Sequence, residues 1–120
     1  GGELSRIMLA VKSILAQYSK LPTIIFDEID TGVSGEIADK MATIMKQMSS
    51  NMQVFSITHL PQIAAKGIEH FKVFKIDIGQ QTSTQIVKLD FQERINEIAQ
   101  MLSGAVVTES AFNNAKELLK

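Results

Sequence analysis

The chain has 120 residues, 45% of them hydrophobic, enough for one core, and no composition shift, internal repeat or low-complexity stretch marks a second domain, so a single unit over 1–120 is expected. Twelve Lys and Arg against 13 Asp and Glu leave a net charge of −1 without a basic run, so composition makes no electrostatic case for nucleic-acid binding. Cysteine is absent, which removes disulfides and thiolate metal sites, and no apolar stretch approaches the ~18 residues of a spanning helix; a soluble chain in a reducing cytoplasm is expected.

The opening Gly1-Gly2-Glu3 enters helical periodicity directly, without an initiating methionine or a loose tail, which suggests a piece of something longer. From Leu4 to Tyr18, apolar residues at Leu4, Ile7, Met8, Val11, Ile14, Leu15 and Tyr18 recur every three or four positions and predict an amphipathic helix, with Leu9 and Ala10 widening the stripe. Lys20-Leu21-Pro22 ends it, because proline cannot extend the hydrogen-bond ladder. A strand over 23–26 comes next, then a loop, Thr31-Gly32-Val33-Ser34-Gly35, in which Ser34 is placed to cap a second helix carrying Ile37, Met41, Ile44, Met45 and Met48. Val54 to Thr58 reads as a second strand closed by His59, and Pro61 starts a brief helix through Ala65, so the first half predicts a parallel βαβ unit.

Beyond it, Phe71 to Ile78 and Thr84 to Leu89 alternate apolar and polar residues around Gly79-Gln80-Gln81, the pattern of a half-exposed hairpin. Asp90 and Glu93 have the spacing of a capping box for a helix with Ile95, Ile98, Ala99 and Leu102 inward. Ser103-Gly104 stops that helix, and Thr108 caps a last one with Phe112, Ala115, Leu118 and Leu119 inside.

The chemistry concentrates at the end of the first strand. Thr23-Ile24-Ile25-Phe26 runs into Asp27 and Glu28, with Asp30 two positions on. A strand buried on both faces lacks polar alternation, so its carboxylates fall at the C-terminal edge, where open α/β sheets bind ligands. In phosphoryl-transfer sites an aspartate there holds Mg²⁺ and a neighbouring acid orients or deprotonates the attacking water; Asp27 fits the first role and Glu28 the second. An isolated Asp-Glu pair is better explained as the start of a loop and a lone strand-end histidine as a surface residue, but the apolar strand before the acids and His59 at the tip of the neighbouring strand, where both tips can open onto one crevice, together favour the chemical reading. Gly1, Gly2 and Glu3 precede a long helix whose positive end attracts phosphate, although two glycines also fit a flexible start. Asp30 with Thr31-Gly32 makes a polar loop placed to touch a partner subunit, or an ordinary aspartate turn. His70 lacks any such context and reads as structural.

Taken in order, G-G-E-L-S-R, T-I-I-F-D-E-I-D-T-G-V-S-G and S-I-T-H-L-P-Q-I-A-A resemble the C-terminal half of a P-loop ABC-type ATPase head, most closely the RecN-type DNA repair ATPases related to the SMC family; N-E-I-A-Q-M-L-S-G extends the likeness toward the C-terminus. The resemblance implies an α/β fold of short parallel strands with flanking helices, an edge β-hairpin and C-terminal helices. It makes Gly1, Gly2 and Glu3 the remnant of the signature that contacts ATP on the opposite head, Ile24 to Asp27 the Walker B strand, Glu28 the catalytic glutamate, Asp30 the D-loop residue and His59 the switch histidine. The leucine and serine that normally precede the signature glycines are missing, and neither a G-x-x-x-x-G-K-[ST] motif nor a Q-loop occurs in these 120 residues.

The same resemblance implies one lobe of a split site: ATP and Mg²⁺ as ligands, the N-terminal half of the same head and a second head as partners, DNA bound by the full-length protein, and a cytoplasmic, nucleoid-associated bacterial location. ATP hydrolysis is then a property of the full-length protein, and this chain alone is inactive. The alternatives are a head half from another SMC-like chromosome or nuclease-partner ATPase, or a non-catalytic interaction domain that kept the sheet.

Overall fold

The computed structural model describes residues 2–120. In chain order it contains α1 (Gly2–Ser19), β1 (Thr23–Asp27), α2 (Gly35–Met48), β2 (Gln53–Ile57), α3 (Pro61–Lys66), β3 (Phe71–Ile78), β4 (Gln81–Lys88), α4 (Phe91–Ser103) and α5 (Glu109–Leu118). The contacts divide it into two units, one ending at Lys66 and the other spanning Gly67–Lys120.

In the first unit β1 and β2 run parallel, in a register that sets Ile24 beside Val54, Ile25 beside Phe55, and Asp27 beside Ile57. The crossover through α2 is the expected βαβ connection. Phe26 is fully buried among Leu9, Ala38, Met41, Ala42, Met45 and Ile63, with Ile24 and Val54 packed against the same cluster. Lys12 lies over the Phe26 ring, 5.8 Å from its centroid. α2 buries Ala38, Met41, Ala42 and Met45, one side of a helix, while Ile44 stays partly exposed. Ser34 takes the N-cap backbone conformation without a side-chain cap bond.

Two expectations are corrected here. β1 is not covered on both faces: Ile25, Phe55 and Ile57 share the face opposite Phe26 and are 56%, 48% and 52% exposed. α1 likewise turns only Leu9 and Ala16 inward, and the predicted stripe of Leu4, Ile7, Met8, Val11, Ile14, Leu15 and Tyr18 is exposed. The physical reason is the same for both. Helix α2, with Leu9 of α1 and Ile63 of α3, covers one side of a two-stranded sheet, and no described residue of this unit covers the other.

In the second unit β3 and β4 form an antiparallel hairpin from Phe71 beside Lys88 to Ile78 beside Gln81. Its two-residue turn places Gly79 at φ +64°, the sign that tight hairpin connections require. The capping box of α4 forms in both directions, with Glu93 N–H donating to Asp90 at 2.8 Å and Asp90 N–H donating to the Glu93 carboxylate at 3.1 Å. Thr108 caps α5 by accepting from Ala111 N–H at 3.1 Å. Ile95, Ile98, Ala99, Ala111 and Ala115 are buried. Lys72 on β3 donates to Glu97 on α4 at 2.7 Å, and Arg94 donates to the Gly67 carbonyl at 2.7 Å. Beside these sits His70, whose pKa is lowered by burial and by the neighbouring Arg94 and Lys72 cations against the opposing pull of Glu97.

Candidate functional site

The β1 backbone does not stop at Asp27. Glu28 N–H donates to the Ile57 carbonyl at 2.9 Å, so the parallel ladder continues one residue past β1, against the last residue of β2, before the chain turns. At Glu28 the backbone then enters the left-handed region, φ +52°, uncommon for a residue with a side chain. Thr31 Oγ1 donates to the Glu28 carbonyl at 3.1 Å and Val33 N–H donates to the Asp30 carbonyl at 3.1 Å, closing a compact turn before α2, with Gly32 at φ +75° inside it.

This turn aims the Glu28 carboxylate at the neighbouring strand tip. His59 Nε2 lies 2.6 Å from Glu28 Oε1, joining residues 31 positions apart in sequence. An ionised carboxylate only accepts, so in this arrangement the imidazole carries its proton on Nε2 and donates. Both side chains are open to solvent, 48% for Glu28 and 81% for His59. A pair that exposed is worth ~0–1 kcal/mol, too little for stability to account for it. Asp27 is exposed at the end of β1, on the sheet face shared by Ile25 and Ile57.

Asp30 is placed differently. The sequence puts it in an open loop reachable by a ligand or a partner subunit; in the structure it is 4% exposed, and Thr58 Oγ1 donates to its Oδ2. The same Thr58 oxygen accepts from Leu60 N–H at 3.0 Å. Burial of a carboxylate is costly unless charge-assisted hydrogen bonds compensate, and Thr58 supplies one. Sequence reasoning does not single out Thr58; the only signal is a hydroxyl residue directly before a strand-terminal histidine.

Gly2 opens α1, where a Cβ would stand 3.8 Å from the Gly32 carbonyl, so the α1 N-terminus lies beside the turn that comes after Asp30. Glu3 is exposed in the first turn of α1. Gly1, the other glycine of the expected phosphate contact, lies outside the described residues. The structure therefore brings Asp27, Glu28 and His59 to one sheet edge and Gly2 to the adjoining loop.

No protein-family model matches the chain. Over 119 residues, 99% of its length, it is 47% identical to the DNA repair protein RecN of Rickettsia conorii, 44% to that of Vibrio cholerae and 42% to that of Haemophilus influenzae. The chain is thus similar to RecN proteins along nearly its whole length. It spans about a fifth of these curated relatives, 22% of the first two and 21% of the third. Among solved structures, a chain from work on ATP-driven dimerization and DNA-stimulated activation of SMC ATPases superposes with a TM-score of 0.73 at 20% identity, over 88% of this chain and 63% of that one. The Smc head domain of Pyrococcus yayanosii gives 0.72 at 21% identity, over 86% and 19% of the two chains. The chain thus shares the fold of part of an SMC head domain, and the expected α/β class with a parallel pair, a hairpin and C-terminal helices holds.

Proposed function

We propose that this chain is the C-terminal lobe, residues 1–120, of a split ATPase head in a RecN-like DNA double-strand-break repair protein. The observation that carries the reading is the Glu28–His59 pair, formed across two strand tips at 2.6 Å and left open to solvent. With one oxygen engaged by His59, the Glu28 carboxylate keeps a second oxygen to accept a proton from attacking water, and its left-handed backbone fixes the direction of approach. His59 orients that carboxylate through its Nε2–H in this state; turned to the transferred phosphate, the same N–H would donate there instead.

Asp27 suits Mg²⁺, which in nucleotide sites takes one or two protein carboxylates and completes its shell with water and phosphate oxygens. Among the described residues no group of three or more acids and histidines could cage an ion alone, so the donor set fits a metal shared with ATP rather than a structural one. Asp27 would hold the ion, whose charge would offset that of the phosphate oxygens. Gly2 and Glu3, with Gly1, would meet ATP held by a second head, so dimerisation would be part of the chemistry.

The exposed apolar face of β1 and β2 supports a further partner, the N-terminal half of the same head, carrying the phosphate-cradling lysine that these 120 residues lack. DNA would be engaged by the full-length protein, which would work in the bacterial cytoplasm at the nucleoid. Identity of 42–47% along nearly the whole chain favours a RecN-like protein over other SMC-like heads with the same nucleotide chemistry. The test is Glu28→Gln in the full-length protein: ATP turnover should fall by roughly 10²–10⁴-fold, the scale of a lost general base, while ATP-bound heads persist. Turnover at the wild-type rate would remove Glu28 from the mechanism.

A further inference from the structure

We propose that Thr58 and Asp30 form an internal strut that positions Glu28 against His59, with Thr58 as a positioning residue for hydrolysis; this rests on the ATPase reading above. The exposed Glu28–His59 contact cannot hold its own geometry, because solvent competes for both partners. The backbone ladder joins the strands up to Glu28 and Ile57, but His59 lies beyond it, so a buried tie between the two loops is what fixes His59 relative to Glu28. Asp30, two residues after Glu28, is the buried acid among the described residues, and it is tied to Thr58, the residue before His59.

The strut therefore runs parallel to the functional pair, one layer deeper. On the β1 side it is anchored by Val33 N–H on the Asp30 carbonyl and Thr31 Oγ1 on the Glu28 carbonyl. On the β2 side, Leu60 N–H on Thr58 Oγ1 turns the chain into α3 directly after His59. A single hydroxyl thus donates to one loop and accepts from the other. A valine at 58 has the same shape but can do neither.

Two readouts in the full-length protein test this. In the nucleotide-free state, hydrogen exchange over 28–34 and 58–61 should quicken in both segments in Thr58→Val and stay near wild type in Thr58→Ser. In steady-state ATP hydrolysis, Thr58→Val should lower kcat by roughly 10- to 100-fold, the scale of a misplaced catalytic group, with KM nearly unchanged and Thr58→Ser restoring it. Asp30→Asn, which keeps the shape and an acceptor oxygen, should lower kcat less, and Thr58→Val should add little on top of it. A strut of structural value only would lower the unfolding midpoint in Thr58→Val and leave kcat intact; that result, or quickened exchange confined to 58–61, overturns the proposal. Failure of the ATPase reading would show separately, as wild-type turnover unaffected by Glu28→Gln, with the exchange measurement still deciding whether the strut exists.

Discussion

Glu28 holds a backbone conformation that costs a non-glycine residue on the order of 1–3 kcal/mol unless its surroundings enforce it, and such residues cluster at functional sites. Glu28→Gly is accordingly expected to keep or raise the thermal midpoint while removing ATP turnover in the full-length protein; a fall of several degrees would show that the carboxylate serves the fold instead. His70 carries the opposite kind of signal. Its folded pKa lies below the ordinary 6.5, so the unfolded chain binds the proton more readily as pH falls, and stability is lost on descending from about 6.5 through the lower folded value. Urea midpoints between pH 7.5 and 5 should fall, and His70→Gln, which removes the group that burial and then Arg94 and Lys72 hold neutral, should flatten that slope. At this scale Asp27, Glu28 and His59 are legible in sequence, because apolar runs ending in acids and an imidazole are visible as order along the chain. The burial of Asp30 is not, since it depends on Thr58 arriving from 28 residues away.

Elements whose signals are local appear where the sequence puts them. The Asp90–Glu93 box, the Thr108 cap and the Gly79 turn are each written within four residues, and each forms. Replacing Asp90 by Ala should destabilise the second unit by ~1 kcal/mol, read as a shift in its denaturation midpoint, with Asp90→Ser largely harmless. Faces are harder to read than spans. The α1 periodicity predicts a helix but not its inward side: the long apolar stripe points out, and Leu9 and Ala16 point in. A heptad-like pattern reports that two sides differ, and which of them is covered depends on what lies nearby. The same holds for Ile25 and Phe55, apolar residues on the uncovered side of a sheet.

At the scale of the whole molecule, the proposed split head gives the uncovered faces and the missing lysine motif one common account: the residues that would cover the sheet and bind the triphosphate would lie together on a second half. By itself the chain should bind an apolar dye such as ANS and hydrolyse no ATP above background. The most direct measurement of the central claim is ATP hydrolysis by this chain mixed with a separately produced N-terminal half of a RecN-like protein that carries the lysine motif. Turnover that appears only on mixing and disappears with Glu28→Gln is the predicted result; a mixture that stays inert although the two halves bind, or turnover indifferent to Glu28→Gln, would contradict it.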